Sequence, residues 1–347
     1  MKYVVIRKKE MANFLDALIG KYQVFAPVKG DNLVIFREIH SGNEALLDFA
    51  NSRVPPKGVF FPQSERIFGF SLASAEAGIK EPPATEKRVI LGMRPCDARS
   101  LLILDNIFNG ELYKNTSYVD KREKTVVITL GCNQPDSTCF CTSLGGSPFA
   151  KDGSDLLLVD LGEEYIAQAV TDKGRQFLEE QKTYFTEATE ASIKKMDGIM
   201  QPTEASVKPE VSIDGLKEKL DNLFSNPVWG TLSEKCLGCA VCTYLCPTCH
   251  CFDITDEVTR QTGERVRTWD SCMFPQFTQE ASGANPRPTG KERMRQRIMH
   301  KFSYFPDNCG VIACVGCGRC IKHCPVNLDV RELLNSISER QDVVERQ

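Results

Sequence analysis

Twice along the chain four cysteines recur at the spacing C-x2-C-x2-C-x3-C with a proline behind them. The first copy is Cys236, Cys239, Cys242 and Cys246 before Pro247; the second is Cys314, Cys317, Cys320 and Cys324 before Pro325. This is the bacterial ferredoxin signature for [4Fe-4S] clusters. Three closely spaced thiolates reach three corners of one cubane, because the tight loop between them turns each sulfur toward a common centre. The fourth, ahead of proline, faces away and completes the other cluster. The spacing assigns one cubane to Cys236, Cys239, Cys242 and Cys324, and a second to Cys314, Cys317, Cys320 and Cys246. Structural zinc is the plainer alternative, but zinc signatures more often pair two C-x2-C knuckles across a longer gap. Two complete copies, each with its trailing Cys-Pro, favour iron–sulfur.

The chain has sixteen cysteines in 347 residues. A cysteine-rich secreted scaffold would be much shorter, so metal rather than disulfides is expected. The basic start, Met1 to Lys9, lacks the apolar stretch of a signal peptide, and no apolar run approaches the roughly 20 residues that span a bilayer. A cytoplasmic protein without a membrane span is the expectation. Hydrophobic residues at 41% and charged ones at 26% describe a globular chain long enough for two domains. The net charge of -3 gives no global reason to expect nucleic acid as a partner.

Residues 1–200 read as an α/β domain. Tyr3–Ile6, Gln23–Pro27 and Leu33–Phe36 are short β-prone runs, and Glu10–Gly20 carries Met11, Phe14, Leu15 and Leu18 at helical spacing. Arg88–Leu91 and Thr125–Leu130 are compact apolar strands, and Asp155–Leu161 is another. The first two of these end at cysteine-bearing turns, which place Cys96 and Cys132 where α/β sheets normally hold their sites. Cys139 and Cys141 follow closely, and four thiols from two loop systems suit a third [4Fe-4S] cluster. Zinc and plain structural cysteines remain the alternatives, though strand ends rich in Gly, Pro, Asn and Asp are poor core positions. Arg94 and Asp97 flank Cys96 and read as an ordinary turn salt bridge. There is no Gly-x-Gly-x-x-Gly, P-loop or nucleophile elbow.

Thr186–Val211 is polar and alternating in charge, and the linker is placed at 201–212. Residues 213–347 then read as a mostly α-helical, ferredoxin-like dicluster domain, with helices expected over Ile213–Phe224, Lys291–Phe302 and Leu328–Ser338. The 78 residues from Cys236 to Cys314 exceed the spacing of a compact ferredoxin and require an insertion or a helical arrangement. Cys249, Cys251, Cys272 and Cys309 remain outside the motifs. His250 and His323 read as surface or hydrogen-bonded histidines, and the basic run Lys291–Arg297 with Lys301 as a solvated helix face.

These elements together resemble a known family. The paired motifs, Cys246-Pro247-Thr248-Cys249-His250-Cys251-Phe252, Trp269-Asp270-Ser271-Cys272, Arg94-Pro95-Cys96-Asp97 and Cys139-Phe140-Cys141 resemble the iron–sulfur β subunits of cytoplasmic sulfhydrogenases and the corresponding iron–sulfur subunit of anaerobic sulfite reductase, over residues 1–335. The resemblance implies an electron-transfer subunit of a soluble anaerobic complex. It implies two partners: a flavoprotein subunit that binds FAD and NAD(P), and a catalytic subunit of hydrogenase or sulfur or sulfite reductase type. The expected function is a relay of single electrons between them. The alternative is direct reduction of a sulfur or disulfide substrate at Cys249, Cys251 or Cys272; a redox-sensing regulator that binds nucleic acid through the basic helix comes last.

Overall fold

The computed structural model describes residues 3–31, 33–72 and 78–340; the outer ends of the two expected domains, 1–2 and 341–347, lie outside these. Its larger sheet is built on four parallel strands: β2 (Gln23–Lys29), β6 (Arg88–Met93), β7 (Thr125–Leu130) and β8 (Leu156–Asp160). Both β6 and β7 are almost wholly buried, as the uninterrupted runs VIL and TVVITL require of strands covered on two faces. Antiparallel strands extend the sheet on either side. They are β1 (Val4–Arg7), β9 (Glu164–Ala169) and β10 (Thr186–Glu187) beyond β8, and β3 (Val34–Glu38) beyond β2, in the order β10-β1-β9-β8-β7-β6-β2-β3.

Helix α1 (Met11–Ile19) buries Met11, Phe14, Leu15 and Leu18 on one side of this sheet. On the other, α2 (Pro95–Phe108) packs Ala98, Leu101, Leu104 and Phe108 beside Tyr118 of α3 (Thr116–Lys124). Pro95 opens α2 where its missing N–H costs nothing. Helix α4 (Asp172–Glu180) contributes Phe177 to the first core.

The stretch expected as a linker is half helix. Helix α5 runs Glu190–Ser206 through Pro202, and its Met196, with Ile193, Ile199 and Met200, packs on Val5, Val159 and Ile166. The alternating charges that suggested a linker are this helix's outer face. Only the residues after Ser206 connect to α6 (Leu216–Asn222) and α7 (Val228–Ser233).

The insertion between the cysteine motifs is a β-hairpin, β11 (Phe252–Thr259) and β12 (Thr262–Trp269). It joins β4 (Ser64–Ser71) and β5 (Gly78–Lys80) in a second sheet, ordered β11-β12-β4-β5. One sheet is thus assembled from both halves of the sequence. Beyond the hairpin, α9 (Gly290–Met299) continues through a π-helical turn at His300–Tyr304 into α10 (Phe305–Cys309). The two motifs carry single helical turns, α8 (Val241–Tyr244) and α11 (Arg319–Lys322), and α12 (Val330–Ser338) closes the described chain. Trp229, Met294, Ile298, Phe302, Leu334 and Ile337 form the core of this half.

Two further contacts lock the halves together. Gly316 lies at φ +64°, and a Cβ there would stand 2.6 Å from the backbone of Phe140 and Cys141; the close approach lets Phe140 N–H donate to Gly316 O at 2.9 Å. Asp97, expected to pair with Arg94 in its own turn, instead receives a forked pair of bonds from Arg319 at 2.6 and 2.8 Å. Both side chains are at most 2% exposed. Removing the carboxylate would strand a buried guanidinium, at a cost of about 3–5 kcal/mol. Asp97→Ala is therefore expected to lower the urea unfolding midpoint of the anaerobically purified protein by that equivalent, with a smaller drop for Asp97→Asn.

Candidate metal centres

Three cavities, each walled by cysteine, lie in a row through the molecule. The first is lined by Cys236, Cys239, Cys242 and Cys324, with Leu237, Met273, Met294 and Leu333 as apolar wall. The second is lined by Cys246, Cys314, Cys317 and Cys320. The third is lined by Cys96, Cys132, Cys139 and Cys141, the first two just beyond the carboxyl ends of β6 and β7. The cysteines of each expected set thus line a common cavity, while Cys320 also lines the first and Cys317 also lines the third.

Neighbouring cavities share walls. Cys320, Arg297, Ile298 and Val330 line both the first and the second. Cys317 lines both the second and the third, which Gly316 also borders. Cys139 Sγ lies 3.9 Å from Cys317 O, and Cys239 is solvent-exposed at the far end of the row.

The donor sets suit cubanes. Burial pushes the thiols of Cys132 up to about 11 and of Cys141 and Cys317 up to about 12, and raises Cys96, Cys242, Cys314 and Cys320 as well. Sulfurs placed this way carry charge only against a cation. Four zinc ligands would converge to about 2.3 Å from one point. The ligands of a cubane stand apart because each binds its own iron, and among the described residues no group of three Cys, His, Asp or Glu side chains is placed to hold a single metal ion.

Sequence reasoning missed the buried cations. Arg297 and Lys301, read as part of a solvated helix face, are each 6% exposed. Lys301 Nζ approaches Cys246 Sγ at 3.4 Å and donates to Thr248 Oγ1 and Ala313 O at 2.9 Å. Arg297 reaches Cys249 Sγ at 3.9 Å. Burial opposes its charge, and the sulfurs of Cys242, Cys249, Cys320 and Cys246 more than offset this, raising its pKa. Lys57, 3% exposed, donates to Cys249 O at 2.7 Å and stands 4.1 Å above the Trp269 ring. Arg319 grips Ser52 O and Asn51 Oδ1 besides Asp97. Their only signal in sequence is position: Arg319 stands inside a cysteine motif, and Arg297 and Lys301 are one helical turn apart.

Cys249 adjoins Cys246, which lines the second cavity. A hydrogen bond from the Cys249 thiol, with Lys301 and Arg297, holds Cys246 well below the ordinary thiol range. The His250 ring bonds to Thr248 O, 3.1 Å away, and burial lowers its pKa to about 4, so it is neutral at physiological pH. His323 is also lowered by partial burial.

Comparison with known proteins agrees with this geometry. Residues 235–328 match the model of a 4Fe-4S dicluster domain. Over 340 residues the chain is 31% identical to sulfhydrogenase 2 subunit beta of Pyrococcus furiosus, a match covering 98% of this chain and 99% of that protein. Among the described residues no helix is long and apolar enough to cross a membrane.

Arg297 places a positive charge in the wall common to two clusters' sites, which favours the more negative, reduced state of each. Arg297→Met is expected to lower the midpoint potentials in an EPR-monitored titration, by about 59 mV for each tenfold change in the reduction equilibrium. Arg297→Lys is expected to retain most of the parent value.

Proposed function

The chain belongs to the sulfhydrogenase β-subunit family, and from that premise we propose that it relays single electrons along its row of cysteine-lined sites. The observation that carries the reading is the shared walls: Cys320 between the first and second cavities, Cys317 between the second and third. We assign one [4Fe-4S] cluster to Cys236, Cys239, Cys242 and Cys324, a second to Cys314, Cys317, Cys320 and Cys246, and a third to Cys96, Cys132, Cys139 and Cys141. Each cluster, when bound, stores and passes one electron.

The chain's own residues do the rest. Met273, Met294, Ile298 and Leu333 keep water from the first site, and Phe140, Ile298 and Phe302 from the second. Arg297 and Lys301 balance the sulfur charge. Arg319, held by Asp97, fixes the turn between Cys317 and Cys320 against α2, so the second and third sites keep their spacing.

The relative's name makes it one subunit of a hydrogenase. The partners proposed are a flavoprotein subunit that binds FAD and NAD(P), and a catalytic subunit of hydrogenase or sulfur or sulfite reductase type, in the cytoplasm. Direct sulfur reduction at Cys249, Cys251 or Cys272 is the rival. It has to admit substrate to Cys272, which is buried, and to Cys249, whose thiol is engaged with Cys246.

Anaerobic iron analysis tests the cluster count: three cubanes give about twelve irons per chain. Cys141→Ser is expected to reduce this to about eight while leaving the EPR signals of the other clusters in place, and eight in the unmodified chain would remove the third cluster. Affinity capture from the native cell is expected to bring down a flavoprotein and a hydrogenase or reductase subunit. Recovery of the chain alone, with sulfur-reducing turnover, would favour the rival.

A further inference from the structure

Two thiols that the relay does not use face each other beside it. Cys251 immediately precedes β11 and Cys272 closely follows β12. The hairpin register, with Phe252 opposite Trp269, brings the two ends together and is sealed by Asp270 N–H donating to Cys251 O at 3.0 Å. Cys272 is 7% exposed and packs in one core cluster with Cys251, Cys236 and Cys242. Both are free thiols.

The turn holding Cys272 is fastened to the first cysteine motif. Ser271 Oγ and Thr243 Oγ1 share a buried hydrogen bond of 2.7 Å, and Tyr244 O–H donates to Trp269 O. Met273, the next residue, lines the first cavity. On the other side Cys251 stands two residues from Cys249, whose thiol bonds to Cys246 in the wall of the second. The ammonium of Lys57 sits over Trp269 and on the carbonyl of Cys249.

We propose that Cys251 and Cys272 form a redox-active pair, an internal two-electron store beside a one-electron relay. In reduction the Cys251–Cys272 sulfur–sulfur bond breaks. It takes up two electrons, delivered singly through the cysteine-lined sites on either side, and two protons from solvent reached past half-buried Cys251, leaving two thiols. In oxidation the same two electrons and two protons leave and the bond forms. Such a store buffers the mismatch between two-electron donors and acceptors at the ends of the complex and one-electron transfer within it. The inference rests on the relay reading, because the electrons must arrive through those sites.

The test uses the cluster-loaded chain in its complex, kept anaerobic and poised either with dithionite or with ferrocenium, a one-electron oxidant. Samples are acid-quenched, alkylated and mapped by mass spectrometry. A Cys251–Cys272 linked peptide in the oxidised sample and two alkylated cysteines in the reduced one are expected. Alkylation of both cysteines in the oxidised sample, or a link made to Cys249 instead, would overturn the proposal. Coulometric titration gives an independent readout: Cys272→Ser is expected to take up two fewer electrons than the parent, with unchanged iron content and EPR signals. An equal electron count overturns the pair. Should Cys272→Ser fail to fold, Cys251→Ser at the more exposed strand end serves the same measurement. Iron content and EPR in the parent report on the relay itself, so failure of that reading is seen separately.

Discussion

A buried guanidinium holds this structure in register. Arg319 belongs to the second cysteine motif, Asp97 to the helix that follows the second parallel strand of the large sheet, and neither is more than 2% exposed. Taking both charges out of water is costly, and the forked geometry with added bonds to Ser52 and Asn51 offsets that cost only when all partners are in place. The arrangement therefore tolerates one docking of the two halves. Since Cys317 lies two residues before Arg319 and Cys96 one before Asp97, the same docking sets the distance between two of the three cysteine sets.

The second governing constraint is charge balance among sulfurs. Cubanes ligated by four thiolates are anionic, and a low-dielectric interior penalises that charge. The counter-charges come from Arg297, Lys301 and Lys57, whose hydrogen bonds go to sulfurs, carbonyls and a hydroxyl. Of the three, Arg297 lies in the wall shared by the first and second cavities, and Lys301 lines the second. Arg297 acts on both at once.

Much of this was legible in sequence because the signals are local. Thr125–Leu130 is a strand with the bounds its apolar run predicts, and the cysteines singled out by spacing or by position at strand ends are ones that line cavities. What stayed hidden is non-local. Nothing near Glu65 or Arg66 announces pairing with Arg267 and Val266, and nothing in Lys291–Lys301 says which cations turn inward toward sulfurs contributed by other segments. The charges of α5 looked like a linker because its apolar residues, Ile193, Met196, Ile199 and Met200, are sparse and find their partners in distant strands.

The interleaving of the two halves has a consequence for biosynthesis. The third cavity takes part of its wall from Gly316 and Cys317, and the second sheet needs residues on both sides of α5. A nascent chain that has exposed only its first 200 residues holds all four N-terminal cysteines but not the walls that shield them. Closure of that cavity is thereby tied to completion of the polypeptide, and a prematurely terminated chain leaves its four thiols without the wall that Gly316 and Cys317 supply.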